Sequence, residues 1–233
     1  MRNDHDHRDG VDTGDPRAHD SYTPQSGDPS FDVDAYALEL SYRVRTNRLE
    51  GRATLSIRIV TATSSIALDL IGLRVSRVRI DGQRRTQHAQ GPRKLRITLP
   101  RAMQPGETLT LTVEYAGAPS PRRSRWGAIG WEELTDGSLV ASQPIGAPTW
   151  FPCNDRPDNR ATYRIRVTTD AEYTAVATGV LQSRTRSGVR SPPSTRSVCR
   201  PPPTSSPSTW VSSNRIGSES ASWSPHRRRF APM

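Results

Sequence analysis

Lysine is all but missing from this 233-residue chain: of its 33 basic side chains only Lys94 is a lysine. Arginine and lysine differ in donor geometry, but no physical demand excludes lysine from a whole chain. The codon bias of a GC-rich gene is the simpler cause. Cysteine is nearly as scarce. Cys153 and Cys199 are too few for a disulfide scaffold and show no C-x-x-C spacing, so a reducing, cytoplasmic setting is the expectation. No run of about 18 apolar residues exists to span a bilayer. The acidic start MRNDHDHRDGVDTGD has no apolar stretch of the kind a secretory signal needs.

Apolar residues are also sparse, at 33% of the chain, but the shortage is local. Residues 1–30 hold seven aspartates against three arginines, and only Met1, Val11, Ala18 and Tyr22 are apolar. Residues 186–233 hold eight arginines against one acid, Glu219, together with eight prolines and thirteen serines. The part between reaches about 46% apolar plus glycine, the usual content of a globular domain. The expected organisation is an acidic disordered arm over 1–30, one folded domain over 31–186, and a disordered Arg/Pro/Ser-rich tail over 187–233. Proline runs deprive that tail of ladder donors. Out-of-frame translation of a GC-rich gene yields such a composition, so the authentic sequence is expected to stop near residue 186–190.

The middle reads as strands. In 35–45, Tyr36, Leu38, Leu40, Tyr42 and Val44 alternate with polar residues; in 48–60, Leu49, Gly51, Ala53, Leu55, Ile57 and Ile59 do the same. Period two means one buried and one wet face. Thr46-Asn47 between them suits a hairpin. Further strands are expected over 65–70, 73–80, 94–99, 107–115, 138–143, 161–169 and 173–183, separated by turn signals such as Gln104-Pro105-Gly106. Nine short strands and no stretch of helical period predict an all-β, mostly antiparallel domain.

Recognisable catalytic machinery is absent from the motifs. The five histidines, His5, His7, His19, His88 and His226, form no H-E-x-x-H pair. No Gly-x-Ser-x-Gly elbow and no Gly-rich phosphate loop occurs. The pI near 10.6 raises nucleic-acid binding. Against it, the middle's arginines fall on alternating strand positions, the pattern of a solvated sheet face. Nucleic acid and membrane are therefore not expected partners.

The segment 116–160 differs from the rest, being rich in Gly and Pro and carrying Trp126, Trp131, Trp150 and Phe151. It reads either as a binding loop or as a connecting loop pinned by buried tryptophan. If it covers a lost partner, those four aromatics should lie exposed as an apolar patch. Within it, Pro152-Cys153-Asn154-Asp155-Arg156-Pro157 forms a Pro-bracketed turn in which Asn154 or Asp155 can bond backbone N–H groups. Cys153, between aromatic and Pro neighbours, reads as a small buried residue and not as a reactive thiol.

These last residues resemble the N-terminal β-domain of the zinc aminopeptidases of the aminopeptidase N family (gluzincin metallopeptidases). In that family a strand ending in Glu or Gln is followed nine residues later by P-C-x-D-x-P, a basic residue and an Ala-x-Tyr/Phe strand. Here Gln143 precedes Pro152 by nine, and the turn is followed by Arg160, Ala161 and Tyr163. NRLEGRATLSI (47–57), IALDLIGLRVSRVRIDG (66–82), PGETLTLTVEYAG (105–117) and TAVATGVLQS (174–183) are similar to the family as well.

The resemblance implies a saddle-shaped β-domain packed on a thermolysin-like catalytic domain, with Gln143 gripping the α-amine of a peptide substrate. Gln143 departs from the frequent Glu by being neutral, and Arg156 stands where Glu or His is frequent. The family's G-x-M-E-N loop, H-E-x-x-H zinc helix and downstream Glu ligand are not found in this chain. The expectation is therefore no catalytic residue, no metal ligand and no cofactor in the chain itself, zinc belonging to the full-length family. Peptide substrates and the missing catalytic domain are its expected partners, and the chain alone should be inactive. The alternative is a stand-alone β-sandwich module that binds a protein partner through the Trp-rich 126–151 loop. A weaker third reading is nucleic-acid binding through the basic tail.

Overall fold

The computed structural model describes residues 23–81, 83, 86–124, 127–142, 145–177, 179–187 and 194–200. Alternation dictates its first hairpin. Strand β1 (Phe31–Arg43) pairs antiparallel with β2 (Arg48–Ile59), and β2 buries Leu49, Ala53, Leu55, Ile57 and Ile59 while Arg48, Arg52 and Arg58 face solvent. The connection is a single 3-10 turn, Val44–Thr46, closed by Asn47 at φ 44. Asparagine tolerates that left-handed conformation better than most residues. Its side chain is used as well, donating to Pro119 O (3.1 Å) and Glu133 Oε2 (2.9 Å) and accepting from Tyr42 Oη (3.2 Å).

The remaining strands are β3 (Thr63–Asp69), β4 (Arg74–Ile80), β5 (His88–Gln90), β6 (Lys94–Met103), β7 (Thr108–Gly117), β8 (Pro121–Ser124), β9 (Gly127–Leu134), β10 (Gly137–Ala141), β11 (Thr162–Asp170), β12 (Val180–Ser187) and β13 (Ser194–Arg200). They form a seven-stranded sheet ordered β12-β13-β11-β1-β2-β7-β4 and two three-stranded sheets, β10-β9-β8 and β3-β6-β5. All pairings between these strands are antiparallel except β1 with β11. One buried cluster joins the three sheets. It runs from Leu55, Leu111 and Ile165 of the large sheet to Ile66, Leu68 and Ile97 of one small sheet and Trp131 and Val140 of the other. The all-β, mostly antiparallel class expected from period two is the fold observed.

Three expectations differ from the structure. The segment 116–160 holds more than the strand expected over 138–143, which is β10: β8 and β9 precede it over 121–134. Gly127 and Gly130, both at positive φ, interrupt the alternation of β9 and hide it from its sequence pattern. The strand expected over 173–183 starts only at Val180. Tyr173, Ala175 and Ala177 alternate inward but lie outside any strand. Finally, β13 falls within the 187–233 stretch expected to be disordered. Its sequence STRSVCR is a proline-free island between Pro193 and Pro201, so every residue keeps a donor for the ladders to β11 and β12.

Candidate functional site

The loop leaving β10 is held from both sides. Ser142 is buried; its hydroxyl accepts from Trp150 Nε1 (3.2 Å) and its carbonyl from the Gly146 amide (2.6 Å). A 3-10 turn, Ala147–Thr149, follows. Thr149 has no exposed surface; its Oγ1 donates to Gly146 O (2.7 Å) and accepts from the Trp131 amide of β9 (3.0 Å). Two glycines make room for this seat. A Cβ on Gly130, which sits at φ +104, would lie 2.6 Å from Thr149 Cγ2, and one on Gly146 would lie 2.9 Å from Gly130 Cα. Gln143, the expected amine-binding residue, lies outside the described residues, as does Pro144. Their described neighbours Ser142 and Ile145 are both buried.

The aromatics of this region form core, which corrects the expectation of an exposed apolar patch. Trp131, Trp150 and Phe151 are at most 1% exposed; Trp126 lies outside the described residues. Phe151 meets Trp150 (4.4 Å between centroids), Tyr36 (5.6 Å) and Tyr163 (6.5 Å) edge-on, and Tyr36 stacks on Tyr163 at 4.9 Å. Such offset and edge-on pairs are the favoured aromatic geometries. Of the two readings of 116–160, the buried tryptophan pinning a connection is the one realised at Trp131 and Trp150. A protein-binding module built on an exposed Trp-rich loop loses its motivation at those residues.

Next along the chain, the Pro-bracketed turn is riveted to the end of β3. Cys153 and Asp69 exchange backbone hydrogen bonds of 2.7 and 3.0 Å. Asn154 donates Nδ2 to Phe31 O (2.8 Å) and Asp28 O (3.1 Å), and its Oδ1 accepts from the Asp28 amide (2.7 Å). Its own amide donates to Tyr36 Oη (3.0 Å). Asn159 brackets the β1 bulge at Val33 with two more bonds, 2.9 and 3.1 Å. The side-chain-to-backbone role expected of Asn154 or Asp155 thus falls to Asn154. Cys153 is buried and free, and burial pushes its thiol well up, with Asp155 and Asp69 adding to the effect. That is an inert thiol, as expected from its neighbours.

Asp69 is the electrostatic centre of this junction. Its Oδ1 takes Lys94 Nζ at 2.7 Å, and its Oδ2 takes the amides of Gly27 (2.7 Å) and Asp155 (3.2 Å). Lys94 also donates to Gly27 O (2.8 Å). The Asp155 carboxyl lies beside this cluster with its Oδ2 buried and without a partner. Burial, then the charge of Asp69, pushes it up to about 7 against the opposing pull of Arg122 and Lys94. Arg156 covers Gly27 with its aliphatic stem and pairs with Asp158, Nε to Oδ1 at 2.9 Å.

On the opposite, wet face of the large sheet five strands present a ladder of alternating charge. Arg77, Glu114, Arg52, Glu39 and Arg166 stand in register on β4, β7, β2, β1 and β11. Successive contacts measure 3.9, 3.2, 3.8 and 2.9 Å. Glu114, Arg52, Glu39 and Arg166 of the ladder line an open concavity of about 490 Å³. Its arginines are matched by glutamates, the solvated sheet face expected of them.

Among the described residues no three His, Cys, Asp or Glu side chains gather as a metal site, and His88 is exposed on β5. Neither Asp69, Lys94 nor Thr149 is among the site residues expected from the sequence. A signal existed for Asp69, an acid closing the apolar strand IALDL, and for Lys94, the lone lysine. Thr149 carried none.

Comparison with known proteins gives a consistent match. The family model of the peptidase M1 N-terminal domain matches residues 32–191. Among solved structures, the M1 zinc metallopeptidase from Deinococcus radiodurans is 34% identical with a TM-score of 0.71. A mutant of it bound to a Tyr-Ser-Ala substrate is 35% identical, also with a TM-score of 0.71. In both cases the match covers 78% of this chain and 42% of the other. The present chain therefore corresponds to less than half the length of those enzymes.

Proposed function

The chain belongs to the peptidase M1 family through its N-terminal domain, and from that premise we propose that it forms the amine-recognising wall of a peptide-hydrolysing assembly. In this reading Gln143 accepts a hydrogen bond from the α-ammonium of a peptide and so counts one residue from its N-terminus. A neutral amide oxygen forms a weaker bond to an ammonium than a carboxylate does. The hydrolytic chemistry belongs to a zinc-bearing partner domain. In the same reading this domain's own contribution is binding and orientation.

The observation that carries the reading is the anchoring of the loop on either side of residue 143. Ser142 is held by Trp150 and Gly146, and Gly146 by Thr149. A recognition group gains most when its support is rigid, because little ordering is left for the moment of binding.

The test is a chimera in which residues 32–191 replace the corresponding domain of the Deinococcus radiodurans enzyme, assayed on Tyr-Ser-Ala. Gln143→Ala should raise KM about tenfold, the worth of one hydrogen bond to a charged group, and Gln143→Glu should lower it. A chimera whose KM ignores residue 143 rejects the proposal. By itself the 233-residue chain should release no amino acid from such a peptide.

A further inference from the structure

We propose that the junction of Gly27-Asp28, the end of β3 and Cys153–Asp155 is a proton-controlled latch, closed while the Asp155 carboxyl holds its proton and loosened when the proton leaves. The proposal is independent of the amine-binding reading, since it uses neither Gln143 nor a substrate.

The geometry leaves Oδ2 of an ionised Asp155 without a donor. Lys94 is the nearby ammonium, and it is engaged by Asp69 Oδ1 and Gly27 O. Asp69 Oδ2 already accepts two amides, one of them that of Asp155 itself. Asp155 Oδ2 is buried and accepts nothing. A carboxylate oxygen buried with no donor is costly when charged, and the group escapes either by keeping its proton or by moving further into water. The groups facing it come from every neighbouring element. β3 presents Asp69, β6 Lys94 and β8 Arg122, while Tyr36 of β1, Tyr163 of β11 and the adjoining Cys153 are neutral and held so by burial. Asp69 repels the ionised form; Arg122 and Lys94 only partly offset it.

Movement of Asp155 into water would not stay local. Its amide would leave Asp69 Oδ2, and Asn154 precedes it directly, with three side-chain bonds to Asp28 and Phe31. Loosening the turn therefore loosens the strap of Gly27-Asp28 that crosses β3, where Asp28 Oδ2 also accepts the Ala67 amide at 2.8 Å.

The sign follows from proton linkage. Docked, Asp155 titrates at about 7; undocked, at an ordinary value of about 3.9. Docking is therefore strongest below about pH 4, weakens as pH rises to about 7, and is level above that. Between pH 6 and pH 8 the same linkage raises the opening constant about tenfold.

Hydrogen exchange on the full chain tests this. Relative to intrinsic rates, protection of the Gly27, Asp28 and Asp155 amides should be about tenfold lower at pH 8 than at pH 6, with amides at the centre of β2 and β7 unchanged. Asp155→Asn, neutral at both pH values, should remove the difference. A wild-type profile flat across this range, or a fall that persists in Asp155→Asn, overturns the latch. If that variant does not fold, carbon-13 NMR titration of the Asp155 carboxyl in the wild-type chain decides: a midpoint near 7 supports the latch and one below 5 overturns it.

Discussion

Lys94 Nζ lies 2.7 Å from Asp69 Oδ1, pairing the chain's single lysine with the one buried carboxylate among the described residues. An arginine fork would demand planar, two-pronged geometry; the compact ammonium instead fits between Asp69 and the Gly27 carbonyl. Removing one member of a buried pair leaves the other uncompensated. Lys94→Met should accordingly cost about 3 kcal/mol, the lower end for such breaks because Lys94 is partly exposed. Urea denaturation should show the double variant Lys94→Met/Asp69→Asn losing less than the sum of the two single losses.

Two glycines at positive φ make a controlled pair. Gly130 faces Thr149, whereas Gly106, at φ +87, has open space where a Cβ would go. Gly106→Ala should cost only the backbone term, about 1–2 kcal/mol. Gly130→Ala adds the collision with Thr149 and should cost at least about 1 kcal/mol more, as overpacking does. Equal thermal shifts for the two would contradict the seat described for the 142–149 loop.

Trp150→Ser or Phe151→Ser should unfold the domain or cost about 3–5 kcal/mol, the range for large-to-small changes of buried aromatics. Near-ultraviolet circular dichroism reads the loss of the packed rings. Were these side chains on a surface, the same changes would leave the spectrum and the melting temperature in place.

The charge ladder should behave oppositely. Glu39 pairs with both Arg52 and Arg166, and all three are exposed. Glu39→Ala should cost less than about 1 kcal/mol, and the effect should shrink further in 1 M salt. A large, salt-insensitive loss in chemical denaturation would mean the ladder is shielded from solvent.

Glu107 gives a pH response of the opposite sense to that of Asp155. The Arg101 guanidinium, then the Gln104 amide, hold its carboxyl down to about 2. Its support of the Gln104–Glu107 turn is thus complete above about pH 4.5 and lost as pH falls through about 2. The Gln104 amide proton, which donates to Glu107 Oε2 at 2.6 Å, should shift upfield over that range, and in Glu107→Gln it should not titrate.

Legibility followed sequence distance. The inward row Leu49, Ala53, Leu55, Ile57 and Ile59 could be read directly, because one residue's neighbours suffice to show period two. The ladder could not, since Glu39 and Arg166 stand 127 residues apart and only the register brings them together. β9 was obscured by Gly127 and Gly130, residues selected by close approach and positive φ, with no side chain to mark a face. β13 was hidden by composition, because ladder bonds need donors more than they need apolar side chains. The turn 152–157 stood out through its prolines, but its partner Asp69 lay more than 80 residues away. Residue 143 was singled out by resemblance alone.

The parallel pairing of β1 with β11 has a consequence for the order of events during synthesis. β1 and β2 can close as a hairpin as soon as both have left the ribosome, but the other edge of β1 must wait for its partner, 127 residues behind. At roughly 5–20 residues per second that wait is on the order of ten seconds. Throughout it, a row of unpaired donors and acceptors on β1 stands open to any other extended chain. The nascent domain therefore spends its most vulnerable interval with its central strand exposed on one side, and factors that shelter emerging chains should matter more to its yield than its final stability does.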